Sequence, residues 1–236
     1  MTTQGWHSEA LLGFDTETTG TDTTNDRILS AAIVSDDDVS HWLINPGVEV
    51  PPAAAAVHGI TAQRLADEGQ EPPTALSEVA TALTKAAKDG VPVVVYRAGF
   101  DLTLLSHELE RHGLEQVPWQ QLRVIDPFVL DKRCDKWRRG KRTLGATCAH
   151  YGVALDDAHD ATADARASVA LARAIAAAYP TVATASVAEL HLSQVAWHAD
   201  QAASLEAYFR RSGRTQECDR RWPLQRSLPS AVKSTT

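Results

Sequence analysis

Three apolar runs stand within the first 44 residues, and the last two are separated only by a turn at Asp36-Asp37-Asp38. Residues 11–16, 27–34 and 39–44 each read as a strand, and a connection that short joins its strands as a hairpin. The sheet therefore starts with antiparallel pairing. Beyond Asn45-Pro46-Gly47 the pattern changes to helices alternating with very short strands. Thr61 is placed to cap a short helix running through Leu65. Residues 74–88 set Leu76, Val79, Ala80 and Leu83 on one helical face. Val93-Val94-Val95-Tyr96 is β-branched and reads as a central strand. Residues 101–112 read as a helix ended by Gly113, and Val124-Ile125 as a strand stopped by Asp126-Pro127. Further helices are expected at 143–151, 162–179 and 186–211. The order predicts an α/β fold, a mixed sheet with helices on both faces.

The expected division is an N-terminal extension over 1–9, a main domain over 10–180, a helical extension over 181–211 and a flexible tail over 212–236. The formal net charge of −7 argues against a protein that coats nucleic acid through overall charge. It leaves room for a local basic patch. Cys134, Cys148 and Cys218 lack paired metal-ligand spacing and fit a reducing compartment. The first residues lack a basic-then-apolar leader, and no run reaches the roughly 20 apolar residues that span a bilayer. A cytoplasmic protein with no membrane partner is expected.

The first strand ends in Asp15-Thr16-Glu17. Residues at i and i+2 of a strand share a face, so the two carboxylates are crowded together. Such a pair repels itself unless a cation lies between its members, and hard oxygen ligands suit a divalent ion. Taken alone, the pair is also compatible with an ordinary acidic strand end. Asp101, in Arg97-Ala98-Gly99-Phe100-Asp101, lies near a helix start, where N-capping alone would explain it. In His159-Asp160-Ala161-Thr162-Ala163-Asp164, Asp160 is a candidate N-cap and Asp164 falls one turn inside the helix. His159 sits outside that helix as an acid–base candidate, because histidine titrates near neutrality. A capping loop with an incidental histidine is the plainer alternative. An HD-type phosphohydrolase would need further histidines upstream on helices, and that arrangement is absent from the sequence.

The ordered set Phe-Asp-Thr-Glu-Thr-Thr-Gly, Ala-Gly-Phe-Asp and His-Asp-Ala-Thr-Ala-Asp resembles the DEDDh 3′–5′ exonucleases, the family of the proofreading epsilon subunit of bacterial DNA polymerase III. The resemblance covers about residues 10–180 and includes the segment Val57-His58-Gly59-Ile60-Thr61. It implies a ribonuclease H-like fold, a mixed five-stranded sheet flanked by helices. It implies that Asp15, Glu17, Asp101 and Asp164 hold two divalent ions, Mg²⁺ or Mn²⁺, about 3.5–4 Å apart. By the same resemblance Asp15 bridges both ions and His159 takes the proton of the attacking water. The products would be nucleoside 5′-monophosphates released from a 3′ end. One position departs from the pattern: the family commonly has asparagine where this chain has Arg97.

Candidate substrate contacts are the backbone groups of Thr16 and Thr18 and the side chain of His58, all at the terminal nucleotide, and Arg97 on a phosphate. The basic run over 132–142 adds Trp137 for base stacking and Arg138 and Arg139 for phosphates. A solvated loop is the alternative for that run. The implied partner is nucleic acid with a 3′ end, single-stranded or frayed DNA, with RNA open because the acids act on the phosphate and cannot read the sugar. The leading expectation is DNA hydrolysis in replication proofreading or repair, with a DNA polymerase as a further partner. The competing expectations are an exoribonuclease or oligoribonuclease, and a non-catalytic module binding nucleic-acid ends or a polymerase.

Overall fold

The computed structural model describes residues 5–225. Strand β1 (Leu12–Thr18) pairs antiparallel with β2 (Ile28–Val34), which pairs antiparallel with β3 (Val39–Leu43). On its other side β1 is joined in parallel by β4 (Val93–Val94), and β4 by β5 (Val124–Ile125). The sheet order is β3-β2-β1-β4-β5. This is the mixed five-stranded sheet expected from the sequence, with β1 at its centre.

Helices α1 (Pro52–His58), α2 (Ala62–Glu68) and α3 (Pro72–Asp89) follow β3, and α4 (Ala98–Arg111) follows β4. After β5 come α5 (Pro127–Cys134), α6 (Leu144–Tyr151), α7 (Ala161–Ala178), α8 (Pro180–Ala183) and α9 (Val187–Arg211). Thr61 caps α2, its hydroxyl accepting from the Arg64 N–H. Helix α5 is an addition to the sequence expectation, which has Asp126-Pro127 only as a strand stop. Asp126 is its N-cap and Pro127 its first residue, the position where proline's missing N–H costs nothing.

Strand alternation sorts the core into two layers. Phe14, Val93, Val95 and Val124 pack with Leu76 and Leu83 of α3 and Leu102 and Leu105 of α4. Leu11, Val94 and Ile125 pack on the opposite side with Leu171 and Ile175 of α7. The contact with α7 is close. A Cβ on Gly13 would lie 2.5 Å from the Ala165 carbonyl and 2.9 Å from Val169. A larger residue would lift α7 off the strand.

Helix α9 closes the sheet edge. Two of its side chains stand where a sixth strand would otherwise be needed. The amides of Val124 in β5 and of Asp126 just after it donate to His191 Nδ1 (3.1 Å) and Gln194 Oε1 (2.7 Å). Gln194 Nε2 returns a bond to the Val124 carbonyl at 3.0 Å. Burial pushes the His191 pKa down, consistent with a neutral ring whose Nδ1 accepts. The helix starts in a reciprocal Ser186–Glu189 capping box.

The ends pack more closely than their composition implied. Trp6, in the segment expected as an extension, is buried and donates from Nε1 to the Val182 carbonyl. In the segment expected as a tail, Trp222 is 5% exposed and lies against His191, and the Gln225 amide donates to Thr103. The rest of that tail, 226–236, lies outside the described residues. Among the described residues no helix is long and apolar enough to cross a membrane.

Candidate active site

Gly13, Asp15 and Glu17 share the face of β1 that α7 covers, and the close Gly13 contact brings the first turn of α7 to the strand end. That turn carries Asp164, started by the Asp160 cap, which accepts from the Thr162 and Ala163 amides. On the other face Thr16 is buried and its hydroxyl donates to Asp101 Oδ1 at 2.6 Å. Asp101 is not the cap of α4. Arg97 occupies that position, and Asp101 lies one turn in, 4% exposed.

His159 is exposed, and its amide donates to Asp164 Oδ2 at 3.3 Å. One ligand atom each from Glu17, His159 and Asp164 lie within 4.8 Å of one another. Asp164 Oδ1 is buried with no hydrogen-bond partner. A buried carboxylate oxygen without a donor carries a desolvation cost that a cation would remove. The donor set is oxygen-rich, as Mg²⁺ or Mn²⁺ prefers. The residues present fit divalent-ion binding.

The electrostatics point the same way. Burial, and then the carboxylates of Asp101, Asp164 and Glu17, hold the Asp15 carboxyl well above the usual carboxylate range. Burial followed by Asp164 and Asp101 pushes Glu17 up to about 8. Burial lifts Asp101 to about 7 although the Thr16 hydroxyl favours its ionised form. Asp164 is likewise raised by burial, against the pull of the His159 amide. A carboxyl whose folded pKa is raised binds its proton more tightly when folded. Its stabilising contribution is therefore present below the unfolded value and lost as pH rises through the folded one. Without divalent ions the protein is expected to lose melting temperature as pH climbs from about 5 to about 8. Added Mg²⁺ or Mn²⁺ should restore more at the upper end than at the lower, because at low pH the ion must displace protons. Thermal melts across that range, with and without the ion, check this; equal stabilisation at both ends would contradict it.

The backbone is strained around this centre. Among the described residues only Arg97, Asp157 and His159 have positive φ without being glycine, at 61°, 54° and 72°. Such conformations cost on the order of 1 kcal/mol and persist where the surroundings hold them. For Arg97 the holder is Asp126, which sequence reading missed as part of this region. Its Oδ1 accepts from the Arg97 amide and its Oδ2 from the Ala98 amide, both at 3.0 Å, fixing the start of the helix that carries Asp101. Trp222 Nε1 also points at Oδ2, at 3.4 Å.

The proposed substrate contacts fare differently. The hydroxyls of Thr16 and Thr18 are engaged internally, by Asp101 and by the Gly20 carbonyl, which bears on their side chains and not on the backbone groups expected to meet the nucleotide. His58 borders a small recess with Glu17 and His159. Its Nδ1 accepts from the Ile60 amide, its buried Nε2 has no partner, and burial followed by His159 lowers its pKa. Trp137 is 84% exposed, and neither it nor Arg139 borders that recess. Arg138 requires a correction. Its guanidinium is bidentate on the fully buried Asp131, Nε to Oδ1 at 3.1 Å and Nη2 to Oδ2 at 2.9 Å. A side chain held that way inside the fold is a structural element and not a phosphate contact.

A family model described as RNase_T, exonuclease, matches residues 12–172. A comparison with curated protein sequences finds no match. Among solved structures the fold is similar to E. coli Exonuclease I in complex with a dT13 oligonucleotide, with a TM-score of 0.63 and 21% identity over 74% of this chain and 42% of that one. It is also similar to the zinc-bound form of the E. coli ExoI–ssDNA complex, with a TM-score of 0.65 and 20% identity over 85% of this chain and 45% of that one. The chain thus spans less than half the length of either protein.

Proposed function

The chain belongs to the RNase_T exonuclease family, and on that premise we propose that it is a metal-dependent 3′–5′ exonuclease acting on DNA. The observation that carries the reading is the convergence of Asp15, Glu17, Asp101 and Asp164 on one strand end beside His159, with Asp164 Oδ1 buried and unpaired. Asp15 interacts with all three other acids and would be the acid most central to ion binding. Glu17, Asp164 and Asp101, the last oriented by the Thr16 hydroxyl, would hold the ions together with Asp15. When bound, Mg²⁺ or Mn²⁺ supplies charge that stabilises the scissile phosphate as negative charge builds on it.

The remaining chemistry belongs to side chains. His159 accepts the proton of the attacking water as the new phosphorus–oxygen bond forms. The bond to the 3′ oxygen of the preceding nucleotide breaks and that oxygen takes a proton from solvent, leaving a shortened strand with a 3′-hydroxyl and a nucleoside 5′-monophosphate. His159 stands outside the packed helix, so its ring is free to meet that water. A role in replication or repair is in keeping with a DNA substrate, and the likeness to a nuclease solved with single-stranded DNA supports DNA over RNA.

The test is product analysis on matched single-stranded DNA, mismatched primer–template DNA and RNA, each labelled at the 5′ end, with Mg²⁺ or Mn²⁺. Stepwise shortening from the 3′ end with release of 5′-monophosphates is expected, fastest on DNA. Endonucleolytic cuts, 5′ polarity or activity indifferent to chelation would reject the reading. His159→Ala should lower kcat about 10²–10⁴-fold, the usual scale of general-base catalysis, with little change in melting temperature because the ring is exposed. Activity close to wild type in that variant would remove His159 from the mechanism.

A further inference from the structure

The reaction leaves two features beside the acid centre unused. The first is the recess that Glu17 and His159 border, about 30 Å³ in volume, room for a water-sized occupant and too small for a nucleotide. His58 forms part of its wall. Because His58 Nδ1 accepts from the Ile60 amide, a neutral ring carries its proton on the buried, partnerless Nε2. His41, on the same wall, is held by the Ser30 hydroxyl at 2.9 Å. Arg64, the cation there, pairs with Glu68 of its own helix, so the carboxylates of Glu17 and Asp160 set the sign of the recess.

The second feature is the chemistry of the tightest donor set. The ligand atoms that lie within 4.8 Å of one another are two carboxylate oxygens, from Glu17 and Asp164, and one imidazole nitrogen, from His159. Asp164 is 9% exposed and its Oδ1 has no hydrogen-bond partner. Mg²⁺ demands an octahedron of oxygens and keeps several waters, so it gains little from the imidazole. Zn²⁺ takes carboxylate oxygen and imidazole nitrogen alike, in a tetrahedron whose donors stand about 3.3 Å apart. His159 is exposed on the loop before α7, where its ring can turn to close that distance.

We propose that Glu17, His159 and Asp164 form an inhibitory Zn²⁺ site, distinct from the all-oxygen binding that serves hydrolysis. The proposal rests on the nuclease reading above, since what zinc silences is the proton-accepting role of His159. The lone pair needed for the proton of the attacking water is the one that zinc occupies. Glu17 and Asp164 are withdrawn from the catalytic ions at the same time. Three protein donors leave a tetrahedral ion one position for solvent, and His58 Nε2, on the recess shared with Glu17 and His159, is a donor for that solvent. Zinc binds such N/O sets more tightly than Mn²⁺ or Mg²⁺, so a small amount competes with either.

The experiment titrates Zn²⁺ alone and Mg²⁺ alone, without nucleic acid, by calorimetry and thermal melts in wild type, His159→Asn, His58→Gln and His150→Gln. Asparagine suits the positive φ of His159 and removes the imidazole. Zinc affinity should fall at least about a hundredfold in His159→Asn and about tenfold in His58→Gln, the scales of losing a ligand and a supporting donor. The melting-temperature gain from Mg²⁺ should survive in His159→Asn. His150→Gln removes an imidazole of α6 that pairs with Asp135, and should change neither affinity. In the Mg²⁺-driven nuclease assay, Zn²⁺ at about a hundredth of the Mg²⁺ concentration should stop the wild type, and chelation followed by fresh Mg²⁺ should restore it. Undiminished zinc affinity in folded His159→Asn overturns the site, as does an equal loss in His150→Gln or an equal loss of the Mg²⁺ gain. Hydrolysis with Zn²⁺ as fast as with Mg²⁺ overturns the inhibition. A wild type that hydrolyses nothing with Mg²⁺ or Mn²⁺ would instead reject the nuclease reading, and the substrate-free titrations still decide whether the three residues hold zinc.

Discussion

Replacing Asp15 by asparagine is expected to abolish cation-dependent hydrolysis while raising the melting temperature of the metal-free protein. Both effects have one cause. Asp15 is the acid on which Asp101, Asp164 and Glu17 all act, and together with burial they hold its carboxyl far above the ordinary range. Asparagine keeps the shape of the side chain and removes the charge, so the repulsion disappears and the core of the site relaxes. On the proposed mechanism the same change removes an ion ligand, and electrostatic stabilisation of the transition state goes with it. A fall of about 10³-fold or more in kcat is the scale of losing several kcal/mol of such stabilisation. The variant should also lose most of the melting-temperature gain that Mg²⁺ or Mn²⁺ gives the wild type. Melts with and without the ion, run beside the nuclease assay, separate the outcomes. A metal-free variant that melts below the wild type would show that Asp15 is held by interactions outweighing the repulsion. An active variant would show that the acid centre is not where the chemistry occurs.

The acids and the histidine were legible because residue type and order along the chain carry the family resemblance. The sheet was legible because β1 to β3 are long enough to show their pattern and β4 and β5 are β-branched. What escaped was of another kind. His191 and Gln194 read as polar residues on a helix, and only the fold shows that they satisfy the open edge of β5. Nothing local distinguishes a buried polar residue with a distant backbone partner from an exposed one. Trp222 lies in a stretch without periodicity, so its burial follows from long-range packing on His191. Asp126-Pro127 both stops β5 and starts α5, and a single local signal does not distinguish the two. Asp101 was placed one turn early, because a carboxylate near a helix start is usually its cap and here the cap is Arg97 in a left-handed conformation.

The basic run shows most clearly how a charge pattern misleads. Arg138 and Arg139 are neighbours in sequence and identical in chemistry, yet Arg138 is 7% exposed in its side chain and bound to Asp131, whereas Arg139 is exposed. Asp131 has no exposure and also takes Arg142 and the Tyr151 hydroxyl, the latter at 3.1 Å. One carboxylate thus anchors α5, the loop after it and α6. Asp131→Ala leaves two guanidinium groups without their counter-charge inside the fold. Removing one partner of a buried pair costs about 3–5 kcal/mol, because the remaining charge stays desolvated. At roughly 2–4 °C per kcal/mol for a chain of this size, the melting temperature should fall by about 6–20 °C. Asp131→Asn should fall less, since it still accepts hydrogen bonds from both arginines. Chemical denaturation with unchanged slope would locate the loss in stability rather than in compactness. Arg138→Gln discriminates between the structural and substrate roles of that residue. If Arg138 belongs to the fold, the variant loses melting temperature and keeps the salt slope of strand binding. If it contacts phosphate, the slope shrinks and the melting temperature stays, and the buried pair with Asp131 would then not exist in solution.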